Sequence, residues 1–109
     1  MTKPLLLLFV LLPLSATSFA QQTLRGRLID SDTHNRVRDA SVSIRSRQKA
    51  SFSRYSISDT AGSFVFSNID SGVYDLLISY IGYRNFTQSI KLDSAETDIG
   101  ILQLTRTTG

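Results

Sequence analysis

Residues 58–83, SDTAGSFVFSNIDSGVYDLLISYIGY, are the stretch where turn-forming residues and alternating apolar residues keep a steady rhythm. Asp59-Thr60-Ala61-Gly62 reads as a tight turn, because Asp accepts hydrogen bonds from its own following backbone and Gly takes a positive φ without steric cost. Phe64 and Phe66 then alternate with Ser63, Val65 and Ser67, the period of two of a half-buried strand. Asn68 to Gly72 is a second turn with Ile69 inside it. After that turn Tyr74, Leu76, Ile78 and Tyr80 fall on one face, with Asp75 and Ser79 on the other. Two antiparallel strands joined this closely can share a buried face, as a β-sandwich core requires.

These residues resemble the carboxypeptidase regulatory-like domain, a transthyretin-like or prealbumin-like sandwich. Members typically carry T-D-x-x-G-x-F, then G-x-Y-x-L, then G-Y. The corresponding residues are Ser58-Asp59-Thr60-Ala61-Gly62-Ser63-Phe64, Gly72-Val73-Tyr74-Asp75-Leu76 and Gly82-Tyr83. The family's opening G-x-V-x-D is matched at Gly26, Leu28 and Asp30. Its usual Pro-Leu-x-Gly-Ala is replaced by Arg36-Val37-Arg38-Asp39-Ala40, which puts the turn geometry there in question but not the strand that follows.

Working outward, residues 1–20 read as a secretory signal peptide. Lys3 is the positive end, Leu5 to Leu12 the apolar run and Ser18-Phe19-Ala20 the small-x-small cleavage site. The run is about ten residues, too short for a bilayer core that needs roughly 20. No cysteine follows it, so there is no thiol for a lipid anchor. The domain is expected to occupy residues 21–109, a length that buries only ~60 to 65% of the surface an unfolded chain exposes. The absence of cysteine fits a bacterial envelope better than a disulfide-rich secreted domain. Asn85-Phe86-Thr87 has the form of a glycosylation acceptor, which carries no weight in a bacterium.

Further strands are expected at Thr23 to Asp30, with Leu24, Gly26 and Leu28 opposite Arg25 and Arg27, at Ala40 to Ile44, and at Tyr55 to Ser58. In Asn85 to Leu92, Phe86, Ile90 and Leu92 face inward, and Gln88 in that row places the strand's middle near an edge. Asp93 to Asp98 reads as a turn. In Ile99 to Thr105 two phases compete, Ile99 and Ile101 against Leu102 and Leu104. The expectation is an all-β, seven-stranded antiparallel Greek-key β-sandwich.

Charge and chemistry narrow the function. Twelve basic residues, Lys3 among them, face nine acidic ones, too balanced for a nucleic-acid binder. No catalytic, cofactor-binding or metal-binding residue is assigned and no cofactor is expected. His34 sits alone in a polar turn, and no serine has a base beside it. Transthyretin-like hydroxyisourate hydrolases carry several histidines and a Tyr-Arg-Gly-Ser end, whereas this chain ends Thr105-Arg106-Thr107-Thr108-Gly109; a zinc peptidase's ligand set is also missing.

Asp30-Ser31-Asp32-Thr33-His34-Asn35 opens like a calcium loop. It lacks the Gly at its sixth position and a distal Glu, so an Asx-type turn is favoured. Arg45, Arg47, Lys49 and Arg54, with Phe52 and Tyr55, read as a solvated basic loop before a phosphate or headgroup patch. Tyr74, Tyr80 and Tyr83 read as packing before sugar stacking, and Gly62, Gly72 and Gly82 as turn residues.

The resemblance implies a non-enzymatic, exported binding or scaffolding module, as in the periplasmic N-terminal extension of TonB-dependent outer-membrane receptors. It implies a partner in the envelope, a barrel or a periplasmic protein, and a periplasmic or outer-membrane location. The alternative is a carbohydrate-binding module using exposed tyrosines.

Overall fold

The computed structural model describes residues 21–107, so the expected signal peptide lies outside the described residues. Those residues form seven strands: β1 Gln22–Asp30, β2 Ser41–Ser46, β3 Ser53–Ile57, β4 Ser63–Ile69, β5 Gly72–Ser79, β6 Phe86–Leu92 and β7 Glu96–Leu104. They make two sheets, a three-stranded one in the order β4-β1-β7 and a four-stranded one in the order β3-β2-β5-β6. The β-sandwich expectation holds. Pairing is antiparallel except between β1 and β7, which run parallel.

The core forms where the two inner faces meet: Leu24, Leu28, Val42, Ile44, Phe64, Phe66, Leu76, Ile78, Leu92 and Leu104 are all buried. Each such side chain contributes roughly 1.5 to 3 kcal/mol against the entropy of ordering the chain. Gly26 sits on this inner face because a Cβ there would lie 2.6 Å from Cζ of Phe64. The residue is small so that an aromatic ring can cross β1.

β4 and β5 are not ladder partners. β4 pairs with β1, whereas β5 pairs with β2 and β6, so Asp70 and Ser71 carry the chain from one sheet to the other. Their shared buried face is an interface across the sandwich. Connections of this kind suit a core whose two halves face each other about 10 Å apart.

Three element boundaries also differ from the sequence reading. β3 starts two residues earlier than Tyr55, β7 starts at Glu96 inside the expected turn, and Ile69 belongs to β4 and is fully buried. The last two have one cause. On both sides of β1 the neighbouring strand carries one extra residue: Leu24 faces Phe66 but Gln22 faces Ile69, and Arg25 faces Asp98 but Arg27 faces Ile101. A β-bulge of this type flips the in-out alternation by one position. Asn68 (φ 60°) and Gly100 (φ 77°) provide the left-handed backbone at the two bulges. Hence Phe64, Phe66 and Ile69 all point inward. In β7 Ile99 packs against the core, Ile101 is turned out, and Leu102 and Leu104 are buried. The two competing phases of β7 are both used, one on each side of Gly100.

The departure at Arg36 to Ala40 leaves the turn intact. Asp39, standing where the family has Gly, takes φ 63°. Buried Ser58 holds it there: its Oγ donates to Val37 O at 2.8 Å and accepts from Ala40 N at 3.0 Å, and its carbonyl accepts from Asp39 N. A short polar side chain tolerates the left-handed region better than a branched one. β6 is an edge strand and Gln88 is exposed, as the interrupted row implies.

Candidate functional site

A groove of about 710 Å³ lies on the outer face of the three-stranded sheet. Its floor comes from the outward residues of β1, Arg25 and Arg27, flanked by Val65 of β4 and Ile101 of β7, with Ile57 at the end of β3 forming the rim. Ile57, Val65 and Ile101 are each more than half exposed. Ile101 is there only because the Gly100 bulge re-aims it, which ties an exposed apolar side chain to a specific backbone irregularity.

Charges in the groove are unevenly committed. Asp59 accepts from Ala61 N and Ser63 N, both at 2.9 Å, closing the turn expected at 59–62, and Asp98 accepts from Gly100 N at 2.8 Å, closing the bulge. Arg25 makes a loose 3.5 Å pair with Glu96. The arrangement suits a segment that offers apolar side chains to the walls and hydrogen-bond acceptors to the guanidinium groups. It contains no nucleophile paired with a base.

A second concentration of polar groups is structural, and its centre is Asp30, which the sequence shows as a strand-end and Asx-turn residue without its distant partners. Asp30, at the end of β1, is 1% exposed. Its Oδ1 accepts from Asp32 N at 2.8 Å and Thr33 N at 3.0 Å; its Oδ2 accepts from Tyr83 Oη at 2.7 Å and Arg106 Nε at 2.6 Å. The Thr33 amide, Tyr83 and Arg106 hold its carboxyl far below the usual carboxylate range, against the opposing effect of desolvation. The bond to Asp30 pushes the Tyr83 phenol up, because its proton is given to a carboxylate, and burial adds to this while Arg106 pulls the other way. Each carboxylate oxygen of Asp30 accepts two hydrogen bonds, and those from Asp32 N and Thr33 N are the Asx-type turn expected at Asp30 to Asn35. His34 is exposed, its backbone N–H donating to Asp30 O.

The basic stretch does not converge. Arg47 pairs with Asp75 at 2.9 Å, Arg54 donates to Ser67 O at 2.9 Å, and Lys49 lines, with Phe52, Gln48 and Tyr74, a smaller cleft of about 350 Å³ at one end of the sandwich. Among the tyrosines, Tyr74 is buried and donates to Asp70 O, and Tyr80 and Tyr83 pack partly against the core. The exposed ring is Tyr55, 76% accessible on β3. Gly62 is constrained twice, by φ 76° and by Leu28 O, which a Cβ would overlap. Sequence reasoning missed the groove because its apolar walls come from β3, β4 and β7. The arginine alternation in β1 and the outward phase of Val65 in β4 are the signals the sequence offers.

Among solved structures, the major pilin subunit of Bacillus cereus is 14% identical with a TM-score of 0.62, over 76% of this chain and 29% of that one. This chain therefore spans less than a third of that pilin's length. A Pseudomonas aeruginosa protein named for a proposed carbohydrate-binding role is 12% identical with a TM-score of 0.58, over 79% of this chain and 88% of that one. The 3-chlorocatechol 1,2-dioxygenase of Rhodococcus opacus is 11% identical with a TM-score of 0.65, over 80% and 60%. At such identities these likenesses establish the fold alone. No curated protein matches the chain. The carboxypeptidase regulatory-like domain model matches residues 23–105. With that match covering all seven strands apart from Gln22, the chain belongs to the carboxypeptidase regulatory-like domain family.

Proposed function

We propose that the chain is an exported, non-catalytic β-sandwich module of the bacterial envelope that docks an extended segment of another envelope protein. The observation that carries this reading is the groove on the β4-β1-β7 face, where Ile57, Val65 and Ile101 stand exposed beside Arg25 and Arg27. Burying three aliphatic side chains supplies the driving force, and the guanidinium groups select orientation. The groove lies on the sheet face, and so does the partner. The setting that the family resemblance suggests is the periplasmic side of an outer-membrane receptor of the TonB-dependent kind.

The test is recovery of a barrel or periplasmic protein from envelope extract by the tagged domain. Val65→Asp and Ile101→Asp are expected to abolish recovery, and Leu77→Asp, on the outer face of the other sheet, to preserve it. Equal recovery by all three variants, or no partner for the parent, would sink the reading.

A second reading, glycan binding, is favoured by one observation, the exposure of Tyr55. It shifts the aromatic platform away from Tyr80 and Tyr83. Glycan-array binding lost in Tyr55→Ala but kept in Ile101→Asp would select it over the first.

A further inference from the structure

Two glutamines stand side by side where the described chain begins, and the fold treats them in opposite ways. Gln21 precedes β1 and is exposed. Gln22 is the first residue of β1, faces Ile69 in the ladder, is 3% exposed, and donates from Nε2 to Ser71 Oγ at 2.7 Å. Resting on the export reading, with cleavage after Ala20, Gln21 becomes the amino-terminal residue and has both a free α-amine and a free carboxamide.

We propose that residue 21 of the exported protein is a modification site, converted to 5-oxoproline. The α-nitrogen attacks Cδ of the same residue's carboxamide, a new C–N bond closes the five-membered lactam, the original amide C–N bond breaks, and its nitrogen leaves as ammonia with a proton from the α-amine. No oxidant, reductant or further reactant is consumed. The α-amine titrates near about 7.7 to 8.0, so a useful fraction is unprotonated and nucleophilic at neutral pH. Ring closure needs free rotation about the side-chain torsions, which exposed Gln21 has. Buried Gln22 would first have to leave Ser71 and its place against Ile69, a local opening that lowers its rate. The product removes a positive charge from the head of β1 and closes the chain to aminopeptidases, which act on a free amine.

The experiment is to express the full chain with residues 1–20 in a Gram-negative host, isolate it from the envelope, and measure the intact mass and that of the first proteolytic peptide. The expected result is residues 21–109 less one ammonia, with sequential degradation from the amino terminus blocked until a pyroglutamyl peptidase is added. A free amine on Gln21 after prolonged warming overturns the proposal. A first peptide that begins at another residue overturns the export reading and the proposal with it, and the peptide's start tells the two failures apart. For the fold's part, chains released by a protease immediately before Gln21 or Gln22 are compared. The folded chain that starts at Gln22 is expected to cyclise about tenfold more slowly or worse, the gap closing in denaturant. Equal folded rates would overturn the protection assigned to Ser71.

Discussion

Each end of β1 buries a polar side chain, but the two ends are finished differently. At one end all of Asp30's acceptor positions are filled, by two backbone amides, a phenol and a guanidinium group. At the other, Gln22 makes one side-chain bond, to Ser71, while its Oε1 is buried with no hydrogen-bond partner among the described residues. A buried carboxylate is tolerable only when paired and hydrogen-bonded, whereas a neutral amide with one missing bond costs about 1 to 3 kcal/mol and can persist. One end of the strand is therefore a lock, joining the turn after β1 to residues that follow β5 and β7. The other end is a compromise made where the chain crosses between sheets.

The largest effect is expected from Asp30→Ala, which frees two turn amides, Tyr83 and Arg106 together. Its fall in urea midpoint should exceed that of every substitution below severalfold, and a fall no larger than theirs would remove the lock. Arg106→Gln comes next, because it leaves Asp30 buried with three partners in place of four. Here too the urea midpoint at neutral pH is the measure, with a loss smaller than that of Asp30→Ala.

Titration sharpens the same contrast. Asp30's folded pKa is depressed, so its contribution is fully present above the unfolded carboxyl value near about 4 and is lost as pH falls from there toward the lower folded pKa. Stability of the parent should therefore decline below about pH 4, and Asp30→Asn should show a shallower decline over that window. Parallel acid profiles for the two proteins would contradict the assignment.

At the other end Ser71→Ala should cost about 1 kcal/mol by stripping Gln22 of its remaining bond. Smallest of all is Gln22→Met, expected within about 1 kcal/mol of the parent or above it, since it removes an unpaired carbonyl while keeping volume. A loss as large as that of Arg106→Gln would mean that Gln22 is as fully satisfied as Asp30. Both effects are read from chemical unfolding curves.

What local sequence could show follows from where each interaction lies along the chain. The turn at Asp59 to Gly62, the alternation in β1, β2, β5 and β6 and the edge position marked by Gln88 are relations between residues a few positions apart, and they are legible. The groove was only half legible. Arg25 and Arg27 alternate in β1, but the two competing phases of β7 leave the facing of Ile101 open until the bulge beside it is known. Asp30 was visible as an Asx residue, yet Tyr83 and Arg106 lie 53 and 76 positions away.

Sequence alone determined that the chain is built of short amphipathic strands separated by Gly- and Asp-led turns, because strand periodicity and turn chemistry are local properties of the backbone. Tertiary structure decided which strands share a sheet, that β1 and β7 run parallel, and on which side of each bulge the alternation reverses. Those outcomes depend on register against β1. A single extra residue opposite Thr23 or Gly26 reverses the facing of every residue beyond it, and no pattern within β4 or β7 alone records which partner residue is skipped.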